Sequence, residues 1–144
     1  MAALENSIQI PAEQEKVWGA IADLDVYGQW MTLHVAFPDG TPDEMREGAT
    51  FKEKVKIMGM PGDVTWTVAD YQEGSRIELS GAGPMGTTLS AVFAVEANGD
   101  GTNVSYSSEF GGAALAPLAA TLEKEAAKAG QESLENLREL VTTS

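Results

Sequence analysis

The sequence predicts an α+β domain in which one curved antiparallel sheet wraps around a long C-terminal helix, with two short helices after the first strand. Three observations carry that prediction. Apolar and polar residues alternate through five segments between positions 51 and 110, each bounded by a turn signal. From about Ala113 the spacing changes to the 3.6-residue period of a helix. Each strand has one apolar and one polar side, so helices are expected to cover only one face of the sheet.

In chain order, "LENSIQIP" alternates Leu4, Asn6, Ile8 and Ile10 against Glu5, Ser7 and Gln9, a strand that Pro11 stops. A helix follows, with Glu13 and Glu15 at the positive end of its dipole and Val17, Trp18 and Ile21 for the core. Asp23 or Asp25 is placed to cap a second short helix ending near Trp30, which sets Tyr27 beside Trp30. "FPDGTPDEMREG" (37–48) reads as a loop.

In "FKEKVKIM" (51–58), Phe51, Glu53, Val55 and Ile57 share one side and Lys52, Lys54 and Lys56 the other. "GMPG" (59–62) reads as a turn, and "DVTWTVADY" (63–71) places Val64, Trp66 and Val68 together. "RIELSGA" (76–82) places Ile77 with Leu79, and "TTLSAVFAVE" (87–96) places Leu89 with Phe93 and Val95. "NGDG" (98–101) is a hairpin signal, because Asn-Gly and Asp-Gly tolerate positive φ. "TNVSYSSEF" (102–110) then puts Val104, Tyr106, Ser108 and Phe110 on one side. The regular C-terminal helix begins near Pro117, which only a first turn tolerates. About 25 residues would span roughly 37 Å.

The helix stripe is leucine at its ends and small in its middle, at Ala126, Ala129, Gly130 and Ser133. Two readings are open, a ligand cavity or plain helix packing, the second in either of two forms. The small residues leave a ligand cavity against the sheet, or Trp66, Phe93 or Tyr106 fills the space, or Gly130 marks a kink.

The 144 residues fit a single domain over 1–144, and 43% apolar content closes a core. A formal net charge of −13 repels polyanions, which disfavours nucleic acid and anionic membranes, so no nucleic-acid partner and no membrane insertion are expected and a basic protein partner is the minority reading. No apolar run approaches the roughly 20 residues of a membrane span. No signal peptide is visible in "MAALENSIQI", and the absence of cysteine suits a cytoplasmic location. With one histidine and no cysteine, a metal site is rejected and no cofactor is expected. There is no nucleophile elbow or Walker loop. "GAGPMG" (81–86) has dinucleotide-loop spacing, but it joins two strands instead of opening a helix.

The opening "IQIPAEQEKVWGAIADLDVYGQW", then "REGATF", "VTWTVADYQEGSRIEL" and "GTNVSYSSEFGG" before a helix ending "SLENLREL", resemble the SRPBCC (START/Bet v 1-like, polyketide cyclase/dehydrase-like) superfamily over essentially the whole chain. Tyr27 and Trp30 before "TLH", and "GMP" before "TWT", resemble small actinobacterial members, one of them a mycobacterial protein with a toxin assignment. The resemblance implies a helix-grip fold with an apolar cavity between sheet and long helix. It implies a carrier of a lipid or polyketide-like molecule, a cyclase/dehydratase-type enzyme, or a toxin-like component acting through a protein partner. Fold alone does not choose among these.

The expected ligand-binding set is Trp30, Glu53, Val55, Trp66, Leu89, Phe93, Tyr106, Leu122, Ala126 and Ala129. Trp18 is expected in the core and Trp30 at the pocket rim, with Tyr27 packing the short helix to the sheet. Glu53, His34 and Tyr106 are the candidate proton-transfer groups. Glu53 stands out because a carboxylate on an apolar face is costly without a partner and its pKa rises. The competing reading places it in solvent at a bulge or strand end. His34 reads as a surface or satisfied polar residue, or as a group at the cavity entrance. Tyr106 reads as core with a bonded hydroxyl, or as a ligand-orienting group.

Overall fold

A computed structural model describes residues 2–57 and 59–143, without the side chains of Ala2, Ile57 and Met60. Met58, at the end of the expected strand, and the Ile57 side chain therefore lie outside the described parts. The elements are β1 (Ala2–Ile10), α1 (Gln14–Ala22), a 3-10 turn (Tyr27–Gln29), β2 (His34–Ala36), β3 (Thr50–Ile57), β4 (Met60–Gln72), β5 (Arg76–Ala82), β6 (Thr88–Asn98), β7 (Gly101–Gly111) and α2 (Ala119–Thr143). All seven strands form one antiparallel sheet in the order β1-β7-β6-β5-β4-β3-β2.

The alternation read from the sequence sets the faces. Val64, Trp66 and Val68 of β4, Ile77 and Leu79 of β5, Phe93 and Val95 of β6, and Val104, Tyr106 and Phe110 of β7 all turn inward and are buried. The curled sheet grips α2, which packs chiefly along β1, while α1 lies against β6 and β7. Val17, Trp18 and Ile21 anchor α1, and the Trp18 ring meets Tyr71 edge-on. No helix among the described residues is long and apolar enough to cross a membrane.

Several local expectations are corrected. The second short helix is one 3-10 turn, and Asp23 Oδ1 accepts from the Asp25 backbone N–H just before it. The segment after it forms β2, a three-residue edge strand too short to show a period. β4 begins at Met60, so Pro61 and Gly62 of the expected turn belong to the strand. Pro117 sits in a separate 3-10 turn (Ala116–Leu118) before α2.

The small stripe of α2 is a close-packing surface. A Cβ on Gly130 would lie 2.6 Å from Asn6 Oδ1 and 3.4 Å from Tyr106 Cδ2, so the glycine lets the helix approach β1 and β7. Ser133 accepts from the Thr32 backbone N–H at 3.0 Å and donates to the Ala129 carbonyl at 2.8 Å. Of the two open readings, filled packing against Tyr106 describes this part of the helix.

Candidate functional site

Glu53 is 3% exposed on the inner side of β3. Losing water makes its charged form costly, and the fold supplies donors in exchange. The Trp66 indole N–H on β4 donates to Glu53 Oε1 at 2.9 Å. His34 Nδ1, at the start of β2, lies 2.6 Å from Glu53 Oε2. Burial raises the Glu53 pKa, and the bonds from His34 and Trp66, with the nearby imidazole, pull it partly back.

Aromatic rings close over this pair. Tyr27 meets His34 and Trp30 edge-on, with centroids 5.4 and 5.0 Å apart, and Phe37 lies 4.4 Å from the His34 ring. Burial, then the charges of Glu53 and Tyr106, hold the Tyr27 phenol well above its ordinary pKa. The Tyr106 phenol is pushed up to about 12 by burial, against a lowering bond from Ser108 and with a further raising contribution from Glu53. Both phenols stay protonated near neutral pH.

Among the described residues, two spaces along the inner face bear on the site. Beside Glu53, Trp66, Phe51, Tyr27 and Phe93 is a void of about 10 Å³, room for roughly one water. Towards the other end of the strands is an open groove of about 380 Å³ between β3–β4, the β5–β6 connection and the approach to α2. Val55, Val64, Leu89, Phe110, Leu115 and Leu122 are among its walls. None of the described residues lining it is ionisable, and Thr87 supplies the single side-chain hydroxyl. Its lips are unusually apolar for a surface. Met85 is 85% exposed and Leu118 37% exposed.

The expected binding residues therefore divide. Val55, Leu89 and Leu122 line the groove, while Glu53, Trp66 and Phe93 line the void. Trp30, Tyr106, Ala126 and Ala129 line neither. Trp30 is not at a rim: it is 1% exposed, edge-on to Phe93 at 5.7 Å. Tyr106 stacks on Phe93 with centroids 4.7 Å apart. Ala126 is buried in the helix contact and Ala129 is half-buried. Glu53 is not in solvent, and His34 is a satisfied polar residue with a side chain 9% exposed. Pro61, Met85 and Leu118 are groove residues that sequence reasoning missed. The signal for them was the Met of "GPMG" and a leucine stripe that continues past the helix start.

Among the described residues no cluster of three or more His, Asp and Glu side chains could hold a metal ion.

The sequence model of the family described as polyketide cyclase / dehydrase and lipid transport matches residues 1–142. A Mycobacterium tuberculosis (strain H37Rv) protein named a toxin is 30% identical over 137 residues, covering 94% of this chain and 95% of that protein. A crystal structure of a Chromobacterium violaceum protein superposes with a TM-score of 0.76 at 15% identity, covering 100% of both chains. The crystal structure of Ara h 8.0201 superposes with a TM-score of 0.73 at 14% identity, covering 99% of this chain and 98% of that one. At such identities the structural likenesses establish the fold, which is the helix-grip, Bet v 1-like arrangement.

Proposed function

The chain belongs to the polyketide cyclase/dehydrase and lipid transport family, and on that premise we propose that it binds a small, uncharged hydrophobic molecule, lipid or polyketide-like, in the open groove. One observation carries this reading: a space of about 380 Å³ walled by apolar side chains, with no ionisable group among the described lining residues. That volume lies within the roughly 300–1,000 Å³ of small-molecule sites. Without a cation among its described walls, the groove offers a buried carboxylate or phosphate no countercharge to replace its lost water.

Native and denaturing mass spectrometry of the purified protein tests the proposal. An apolar, neutral molecule should co-purify with the wild type and be lost from Leu122→Trp, whose indole fills the groove. A protein that is empty and binds no neutral apolar probe at millimolar concentration overturns it.

A second reading, proton transfer of the cyclase/dehydratase type, draws support from the Glu53–His34 pair. The space beside that pair holds about one water, so a substrate would have to displace aromatic side chains to reach it. Glu53→Gln should abolish turnover on this reading and only retune affinity on the first. The name of the mycobacterial relative supports a toxin-like role, and a short neighbouring reading frame encoding a basic or amphipathic protein would favour action through a protein partner.

A further inference from the structure

We infer that the Trp66 indole is the inner stop of the groove, held in place by Glu53 and His34, and that it sets the length of ligand the protein accepts. The inference rests on the groove being the ligand site and adds the residue that limits its depth.

The groove and the void lie along one apolar face yet share no lining residue. On β4, Val64 faces the groove and Trp66, two residues on, faces the void. On β6 the same division separates Leu89 from Phe93. Trp66 stands in the first row on the void side, next to the groove residue Val64 and paired across the sheet with Phe51 and Gly81. Its ring and the groove residue Val64 meet over Gly81, where a Cβ would come within 2.8 Å of Trp66 Cε3 and Cζ3 and of Val64 Cγ1. The glycine thus clears the floor on which the indole rests.

The indole is also fixed at its edge. Its N–H donates to Glu53 Oε1 at 2.9 Å, and Glu53 Oε2 is fixed by His34 at 2.6 Å. This brace runs from β2 through β3 to β4. One hydrogen bond at Nε1 selects a single orientation among the rotamers of a flat side chain. Swung away, the ring would join void to groove and bring the ligand's end to the carboxylate. Trp66 is on this reading a specificity-determining residue, with Glu53 and His34 as positioning residues that act through it.

The test is a chain-length series of primary alcohols, hexanol to hexadecanol, measured by displacement of Nile red. For the wild type, affinity should rise about fourfold per CH₂ while methylenes enter the groove, then stop rising at a defined length. Trp66→Ala should move that break to longer alcohols by several carbons, and Glu53→Leu, which releases the indole, should move it partway. Glu53→Gln keeps an oxygen that accepts from the indole and should leave the break in place. A wild-type measurement guards against unfolded variants: in an NMR titration the Trp66 indole N–H signal should shift only with alcohols beyond the break. An unchanged break in the folded variants, or an indole signal equally sensitive to all lengths, overturns the inference alone. Absence of saturable alcohol binding to the wild type overturns it together with the groove reading.

Discussion

A carboxylate buried on the inner face of a sheet is costly unless polar partners replace its lost water, and Glu53 has two, the Trp66 indole N–H, which donates to it, and His34 Nδ1, which donates to its ionised form or accepts from its protonated one. Burial still outweighs them, so its pKa is raised. A raised pKa means the folded protein holds this proton more tightly than the unfolded chain does. The resulting stabilisation is fully present below the ordinary value of 4.5 and is lost as pH rises through the raised folded value. Glu53→Gln cannot ionise, so its stability should gain on the wild type across that window, by about 1.4 kcal/mol for each pH unit the window spans. Urea melts from pH 4 to 8 measure this, and a pH-independent difference between the two proteins contradicts it. At the groove lip, Met85 has φ of 59°, a left-handed conformation that favours glycine. Met85→Gly should stabilise the fold by about 0.5–1 kcal/mol while weakening ligand binding, as read by thermal melts and probe titration. Alternation places Glu53 on the apolar side of its strand. Its pairing with His34 was not legible, because β2 has three residues and no period. Trp30 also escaped, since a tryptophan near a loop reads equally as rim or core until Phe93 is seen beneath it.

At the scale of elements, α2 meets the sheet through small side chains in its middle and large ones beyond. Gly130 admits Asn6 and Tyr106, Ser133 satisfies the Thr32 N–H, and Leu134 and Leu137 are fully buried. Ser133→Ala leaves the Thr32 N–H without that acceptor and should cost about 1 kcal/mol. Leu134→Ala should cost about 2–5 kcal/mol, because the surrounding elements cannot collapse onto the space. Chemical denaturation gives both values, and a ranking in which Ser133→Ala is the costlier contradicts this description of the interface. The period of the helix was legible from its leucines. Leu134 and Val141 fall outside the stripe those leucines define, because the buried face drifts along a long helix lying against a curled sheet. The five central strands, their faces and the "NGDG" hairpin were legible because period-2 patterning and turn chemistry are local. Which end of the sheet–helix sandwich stays open was not, because it depends on where α2 begins relative to the β5–β6 connection.

At the scale of the molecule, the formal charge of −13 gives the folded state a self-repulsion that salt screens. Thermal stability should therefore rise between 20 and about 300 mM salt, where the Debye length shortens several-fold. Binding of a neutral alcohol to the groove should change little over the same range, because no ionisable side chain appears among its described walls. The acidic surface and the apolar groove are thus separable by ionic strength, which also distinguishes a small-molecule carrier from a protein that recruits a basic partner. The most direct test of the groove as the ligand site is a methyl NMR titration with a neutral long-chain alcohol. Saturable shifts are predicted at Val55, Val64, Leu89 and Leu122, with Val68 and Leu134 unmoved. No saturable shift, or shifts centred away from those four methyl-bearing residues, would contradict the groove as the ligand site.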